Sequence, residues 1–456
     1  MNRMSLTSSH PTPQRTDSMN SRQAHTTQGL TRRPSLGLAL GLTLGLCATL
    51  GAQDRILLRG AKVFTGKGPF QEGLQILVVD GKILKVGKDL PSEGNTVVDL
   101  KGKWITPGLV DANTSLGLAE THVNEQSTET TPHIPILEAI NPRASDFKRA
   151  LGMGVTTAYV SPGGYNVFGG LGVVLKTGGN RLADRIVLDK TGLRMTLGAM
   201  ASQGNRAFRG GSPDSMFYRR PTSRMGVIWE IRSQFYKADA KRASGEGFNP
   251  EKDPATRTLI AALDGKLTVR TTARTDQDIR TALRLAEEFG IRVAIDEGTE
   301  AYNSLDQIAA AGVSVIASPP SIRQHPDRAE PHLDTIKLLA DAGVTVAIQT
   351  GQGLGALPLI REATFAVRYG LSRQRALEAV TSVPAEILGV SDRVGSLKAG
   401  LDADIVVWNL HPLSVFSQPD SVYVGGKLLH DGKRKKKKAA TAEPTPRRTT
   451  PRKTRL

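Results

Sequence analysis

Between about residues 108 and 390, short apolar runs rich in Val, Ile and Leu alternate with longer stretches of helical periodicity. No other feature of the chain restricts its fold as strongly. Strand-like runs occur at Val155–Val160, Gly172–Lys176, Leu267–Thr272, Ile291–Ile295, Val313–Ala317 and Val344–Thr350, and helical patterns lie between them, for example at Asp276–Phe289 and Thr299–Ala311. A strand followed by a helix returns the chain to the same end of the sheet, so successive strands run parallel with helices covering their faces. The repetition predicts an α/β fold, most economically a (β/α)8 TIM-like barrel, with a doubly wound open sheet as the alternative. The flanks read differently. Residues 56–100 carry short alternating strands around an Asp80-Gly81 hairpin signal, and strands return after residue 393, at 394–408 and 422–429.

The 456 residues carry a net charge of +17, but the excess is local. Residues 433–456 hold eleven Lys/Arg and one Glu, and residues 1–35 hold five Arg and one Asp. The body between them is nearly balanced and shows no nucleic-acid-binding footprint. Arg32 and Arg33 precede an uncharged Leu/Gly-rich run, Pro34 to Gln53, that ends in small residues around Ala52. A positive region, an apolar region and small residues at a cleavage point predict an export signal within residues 1–52, and hence a periplasmic or extracellular protein. Thr31-Arg32-Arg33 is similar to a twin-arginine signal; an uncleaved membrane anchor is the alternative. The only cysteine, Cys47, lies in this run, so cleavage after Ala52 leaves no thiol for catalysis, disulfides or thiolate metal sites. The basic tail, 433–456, cannot fold by burial. It is either a solvated extension or an anchor to an anionic polymer or envelope surface, and without aromatic residues it is not built for base stacking.

Lys103 to Glu120 read KWITPGLVDANTSLGLAE. This segment resembles the first barrel strand of the amidohydrolase superfamily. Further similarity, to a secreted imidazolonepropionase-like branch, is carried by Gly154-Val-Thr-Thr157, Ser161-Pro-Gly-Gly-Tyr-Asn-Val-Phe-Gly-Gly170, Ser223-Arg-Met-Gly226 and Leu285-Ala-Glu-Glu-Phe-Gly-Ile291. Residues 394–408 and 422–429 are similar to the closing segment of such proteins. The resemblance implies a composite β-sandwich from residues 53–107 plus 393–432 around a barrel at 108–392. It also implies metal-dependent hydrolysis of non-peptide C–N bonds, with zinc or a similar divalent ion as cofactor.

The five ligand positions that the resemblance implies are all substituted. Metal-dependent relatives carry two histidines one residue apart after Pro-Gly-Leu-Val-Asp; here the positions hold Asn113 and Ser115. Residues two apart on a strand share a face, so such histidines would both reach a zinc at about 2.0–2.1 Å. The histidine expected at the end of the fifth strand is Thr272, the one at the end of the sixth is Glu297, and the aspartate expected at the end of the eighth is Gly351. A bridging lysine of some relatives maps near Lys176 or Arg194, and the sequence does not choose between them. Neutral oxygens are poor ligands for transition metals, and one carboxylate cannot hold a catalytic zinc. The expectation is therefore no catalytic residues and no cofactor. The protein is expected to act in binding or structure, with an unidentified small molecule in the barrel mouth and an oligomer left open. The alternatives are a hydrolase with a non-standard metal site and a protein whose working part is the basic tail.

Other residues offer little to rebuild a site. His122 and His133 follow the first strand near Glu120, Glu125 and Glu129, and would form a metal cluster only if that connection folds over the mouth. Adjacent Asp296 and Glu297 point to opposite faces of a strand and do not pair for acid–base work. Gly351–Gly355 and Gly163–Gly170 are glycine-rich loops with exposed backbone amides or plain connections. Ser115 has no His/Asp partner in sequence for nucleophilic chemistry.

Overall fold

The structure, a computed structural model, describes residues 54–432 apart from 120–122, 126, 204–220, 245–247, 319–325 and 352–357. The export segment, the basic tail, Glu120, His122, His325 and residues 352–355 of the glycine-rich loop lie outside the described residues.

The N-terminal strands are β1 (Arg55–Arg59), β2 (Lys62–Val63), β3 (Gln75–Val79), β4 (Lys82–Gly87), β5 (Thr96–Asp99) and β6 (Trp104–Pro107). Eight strands then build the central sheet: β7 (Leu109–Thr114), β8 (Val155–Val160), β9 (Phe168–Lys176), β10 (Ile186–Thr196), β11 (Val269–Ala273), β12 (Val293–Glu297), β13 (Ser314–Ala317) and β14 (Val346–Ile348). The chain ends in β15 (Ile405–Trp408), β16 (Pro419–Val424) and β17 (Lys427–Asp431).

Two small sheets flank the large one. One has the order β4-β3-β1-β5 and the other β17-β16-β15-β6-β2, so β6, next to the first barrel strand, pairs antiparallel with β15 some 300 residues later. Apolar residues from both sheets, including Leu58, Ile76, Ile83, Ile105, Ile405 and Val407, interlock in one core. That packing is what alternating strands with one apolar face require.

The central sheet runs in sequence order from β7 to β14. Its seam is closed by a bridge between Thr114 and Gly351 and by Asp111, whose carboxylate accepts from Thr350 N at 3.1 Å and Thr350 Oγ1 at 2.5 Å. Alternation decides what fills it. Leu193, Met195, Val269, Ala273, Val293, Ile295, Val315 and Ile348 face the helices outside, whereas Ala112, Ala294, Ile316 and Ala347 meet inside. The helix Ser382–Ile387 and Leu388–Val394 plug the end where the strands begin, packing on Val110, Tyr159 and Val174.

The barrel departs from a strict β-α repeat in one place. β9 is antiparallel to both β8 and β10. Residues 161–167 are too few for a crossover connection, which needs about a dozen or more residues, so the chain turns back on itself. The repeat pattern did not reveal β10 because Asp189, Lys190 and several bulges interrupt its alternation; Lys190 has φ +48°. The expected helix over 299–311 is a 3-10 turn at Ala301–Asn303 followed by Leu305–Ala310.

Candidate functional site

The barrel mouth lies at the C-terminal ends of the parallel strands, where barrels of this kind place their chemistry. Asn113, near the end of β7, is buried; its Oδ1 accepts from Ser161 Oγ at 2.8 Å and its backbone carbonyl from Gly351 N at 3.1 Å. Asn113 and Gly351 thus meet across the seam. Ser115 lies just past β7 and its carbonyl accepts from Leu118 N. Thr272 is fully buried at the end of β11, register partner of Thr196 on β10 and of Asp296 on β12, and its hydroxyl has no hydrogen-bond partner.

Glu297 ends β12 with φ +78°, a backbone conformation unfavourable for a side chain of its size. Its carboxylate is held by Arg274, through Nη2 to Oε1 at 2.7 Å and through Nε to Oε2. Arg274 also reaches Asp327 at 3.1 Å, and Arg224 joins Asp327 at 3.0 Å to Asp278 at 3.2 Å.

The structure separates the two candidates for the bridging-lysine position. Lys176 sits at the opposite end of the barrel. Its ammonium donates to Asp404 at 2.7 Å and lies 3.0 Å from Asp402, tying β9 to the segment leading into β15. Burial opposes ionisation of Asp402, but Lys176, Lys82 and Arg393 outweigh it and hold that carboxyl at about 2. Arg194 instead lies on β10, the fourth strand, and its side chain enters the barrel. Nη1 of Arg194 donates to Asp296 Oδ2 at 2.9 Å. Arg270, one strand over, donates to Asp296 Oδ1 through Nε at 3.2 Å and Nη2 at 2.5 Å, and its guanidinium stacks 4.3 Å from the Tyr159 ring centre. Arg194, Arg270 and Asp296 are each at most 2% exposed, and Glu297 adds its negative charge to that of Asp296 near Arg194.

Sequence reasoning overlooked Arg270, Arg274 and Tyr159, and gave Asp296 no role. The signal was present: Arg270, Thr272 and Arg274 recur at a spacing of two on a strand flanked by apolar residues. Polar side chains so placed turn to the barrel interior.

The donor set does not fit a divalent metal. Where ligands are expected there are an amide oxygen engaged by Ser161, a serine, an unpaired threonine hydroxyl, a carboxylate taken up by arginine, and a glycine. Two guanidinium groups lie among them, and their charge opposes a divalent cation. Among the described residues, no three His, Cys, Asp or Glu side chains converge to hold an ion. A groove of about 1270 Å³ lies at the other end of the barrel, against Thr268, Arg292, Val293, Gly312, Val313 and Ser314, and contains none of the candidate residues.

Residues 166–429 match the amidohydrolase family. The chain belongs to that family. The chain is 28% identical over 402 residues to the amidohydrolase tasK of Hapsidospora irregularis; the match covers 78% of this chain and 40% of that protein. It is 25% identical over 382 residues to the imidazolonepropionase of Maricaulis maris (strain MCS10), covering 77% of this chain and 90% of that one. Among solved structures, an amidohydrolase from Thermotoga maritima MSB8 superposes with a TM-score of 0.75 at 32% identity, covering 82% of this chain and 100% of that one. The fold is thus the TIM-like amidohydrolase barrel with added β segments, of an imidazolonepropionase-like kind.

Proposed function

We propose that this amidohydrolase-family barrel works without a resident metal, as a binding protein descended from a hydrolase. One observation carries the reading: the single carboxylate at the five expected ligand positions, Glu297, is bound through both oxygens by Arg274. A catalytic zinc takes three protein ligands and activates a water in the open position. Asn113, Ser115, Thr272 and Gly351 supply no anionic or imidazole donor for that role, and Gly351 supplies no general base. Elemental analysis of protein produced in zinc- and manganese-supplemented medium tests the proposal. Far less than one ion per chain is expected after dialysis. About one tightly held ion per chain would refute it, as would hydrolysis of C–N substrates abolished by a chelator.

We further propose export through residues 1–52 and anchoring of the mature protein to an anionic surface through residues 433–456. The support is the position of eleven basic residues outside a nearly neutral body. Binding to an anionic polymer is expected to fall steeply with salt, by counterion release, and with little sequence preference on nucleic acid. Equal retention of mature protein with and without residues 433–456 contradicts the anchoring.

A further inference from the structure

The loop between β15 and β16 presents apolar side chains where turns usually carry polar ones. Residues 409–418 join the two strands, and Ser417 N donates to Ser414 O at 2.9 Å. Val415 and Phe416 are thus the central residues of a β-turn. Gly, Pro, Asn, Asp and Ser dominate turns. Here Val415 is 85% exposed, Phe416 80%, and Leu410 in the same loop 45%.

The loop is held in this shape on its other side. Asn409 N donates to Gln418 O at 3.1 Å, and Gln418 N to Asn409 Oδ1 at 2.7 Å, closing the base. Ser414 N donates to His411 O at 2.8 Å and Ser417 Oγ to Leu410 O at 3.2 Å. Leu413 is buried, and the His411 ring packs on Trp104 and Phe70, with centres 4.8 and 5.3 Å apart. The anchored side fixes the turn, so Val415 and Phe416 stay in water and forgo the free energy of burial.

Strand register sets the basic tail beside this turn. β16 starts at Pro419, directly after the loop, and runs antiparallel to β17 with Ser421 opposite Asp431. The described chain therefore ends at Gly432 one strand over from the start of β16, about 5 Å away. Lys433, Arg434 and the lysines at 435–438 follow at once. The same end of the sheet carries Lys62, Lys101 and Lys103 together with Glu72, Asp420 and Asp431, and Lys62 pairs with Glu72 at 2.8 Å and Lys103 with Asp420 at 2.6 Å. The folded part is balanced there, so the positive excess comes with the tail.

We propose that this end of the sheet docks on an anionic phospholipid bilayer, with Val415 and Phe416 entering the acyl boundary and residues 433–438 attracted to the headgroups. This deepens the anchoring reading and rests on it. A bilayer offers an anionic surface and a hydrocarbon phase together, whereas a polyanion in water gives the apolar turn nothing to enter. A convex tip of two side chains is also far smaller than the patch of about 800 Å² per partner that a stable protein interface buries.

The test is co-sedimentation of the mature protein, residues 53–456, with vesicles of phosphatidylcholine alone or mixed with phosphatidylglycerol, beside retention on dextran sulfate. Binding is expected to the mixed vesicles and far less to phosphatidylcholine. Val415→Ser with Phe416→Ser is expected to weaken binding to mixed vesicles about tenfold or more and to leave retention on dextran sulfate unchanged. Removing residues 433–456 is expected to lower both. A second measurement reads the turn directly. Residues 53–456 contain no cysteine, so Phe416→Cys takes a single environment-sensitive fluorophore. Its emission is expected to shift to the blue with mixed vesicles and to stay unshifted with dextran sulfate.

Vesicle binding that the double serine variant leaves unchanged overturns the proposal, as does a fluorophore at position 416 that stays in water while the protein is bound. A dimer in solution that the double serine variant abolishes, with vesicle binding intact, overturns it in favour of a second copy. Tail-dependent retention on dextran sulfate alongside any of these results overturns only the membrane docking. Equal retention with and without the tail on both supports overturns the anchoring reading as well.

Discussion

Replacing Asp296 by Asn removes one charge without changing shape, and the structure sets the size of the effect. Asp296 is fully buried and accepts three hydrogen bonds from two guanidinium groups that are themselves at most 2% exposed. Removing one partner of a buried ion pair costs about 3–5 kcal/mol, because the other charge is left uncompensated. Here two charges are left, so Asp296→Asn is expected to lose about 4–5 kcal/mol or more. Arg194→Met acts differently. It leaves the Arg270–Asp296 pair neutral and intact, gives up one charged hydrogen bond of about 1.5–3 kcal/mol, and removes the desolvation cost of one buried guanidinium. Its net cost is expected to be no more than about 2 kcal/mol. The double variant should be more stable than Asp296→Asn alone, since it strands one guanidinium instead of two. Urea unfolding in chloride buffer at neutral pH, followed by tryptophan fluorescence, gives the ranking; Trp408 is fully buried and reports on the transition. A loss below about 1 kcal/mol for Asp296→Asn would refute this account of the interior. So would an Arg194→Met variant that is the less stable of the two.

Two carboxyls make stability depend on pH with opposite signs. Burial pushes Asp111 up to about 6, against hydrogen bonds from Thr350 and Asn113 that favour its ionised form. Its contribution is full below the ordinary carboxyl range and is lost as pH rises through about 6, in all about 3 kcal/mol at 1.36 kcal/mol per unit. Asp111→Asn should flatten the fall in unfolding free energy between pH 4 and 6.5; an unchanged slope contradicts the assignment. Asp402, held at about 2, stabilises above the ordinary carboxyl range, and its contribution is lost as pH falls from about 4 to 2. That amounts to about 2 kcal/mol once the solvent exposure of Lys82 and Arg393 is allowed for. Lys176→Met should remove much of that acid dependence, and a full acid slope in this variant would show that Lys176 is not its source.

The fold class was legible because helical and strand periodicities are local. Three parallel pairs, β11 through β14, follow from that pattern. The reversed β9 was not, because its cause is the shortness of residues 161–167 together with bulges that erase the alternation of β10. At the mouth, Asn113, Thr272, Glu297 and Gly351 were named from sequence as the positions where ligands are expected, but what they touch was not. The structure adds that Glu297 is bound by Arg274 and that Thr272 stands beside Thr196 and Asp296.

What the sequence by itself determined is therefore the kind of each residue and the face of the strand that it occupies. An arginine that alternates with apolar residues on a buried strand, as Arg194 does between Leu193 and Met195, must point inward, wherever its counter-charge comes from. Only the tertiary structure decided the partners. Arg194 meets Asp296 across 102 residues and Lys176 meets Asp404 across 228. The physical reason lies in the range of the forces. Periodicity acts within one strand or helix, whereas a buried charge is satisfied by whichever opposite charge the closed barrel brings within about 3 Å. That closure separated Lys176, a strut between the strand-starting end of the barrel and the segment leading into β15, from Arg194, which meets Asp296 inside the barrel.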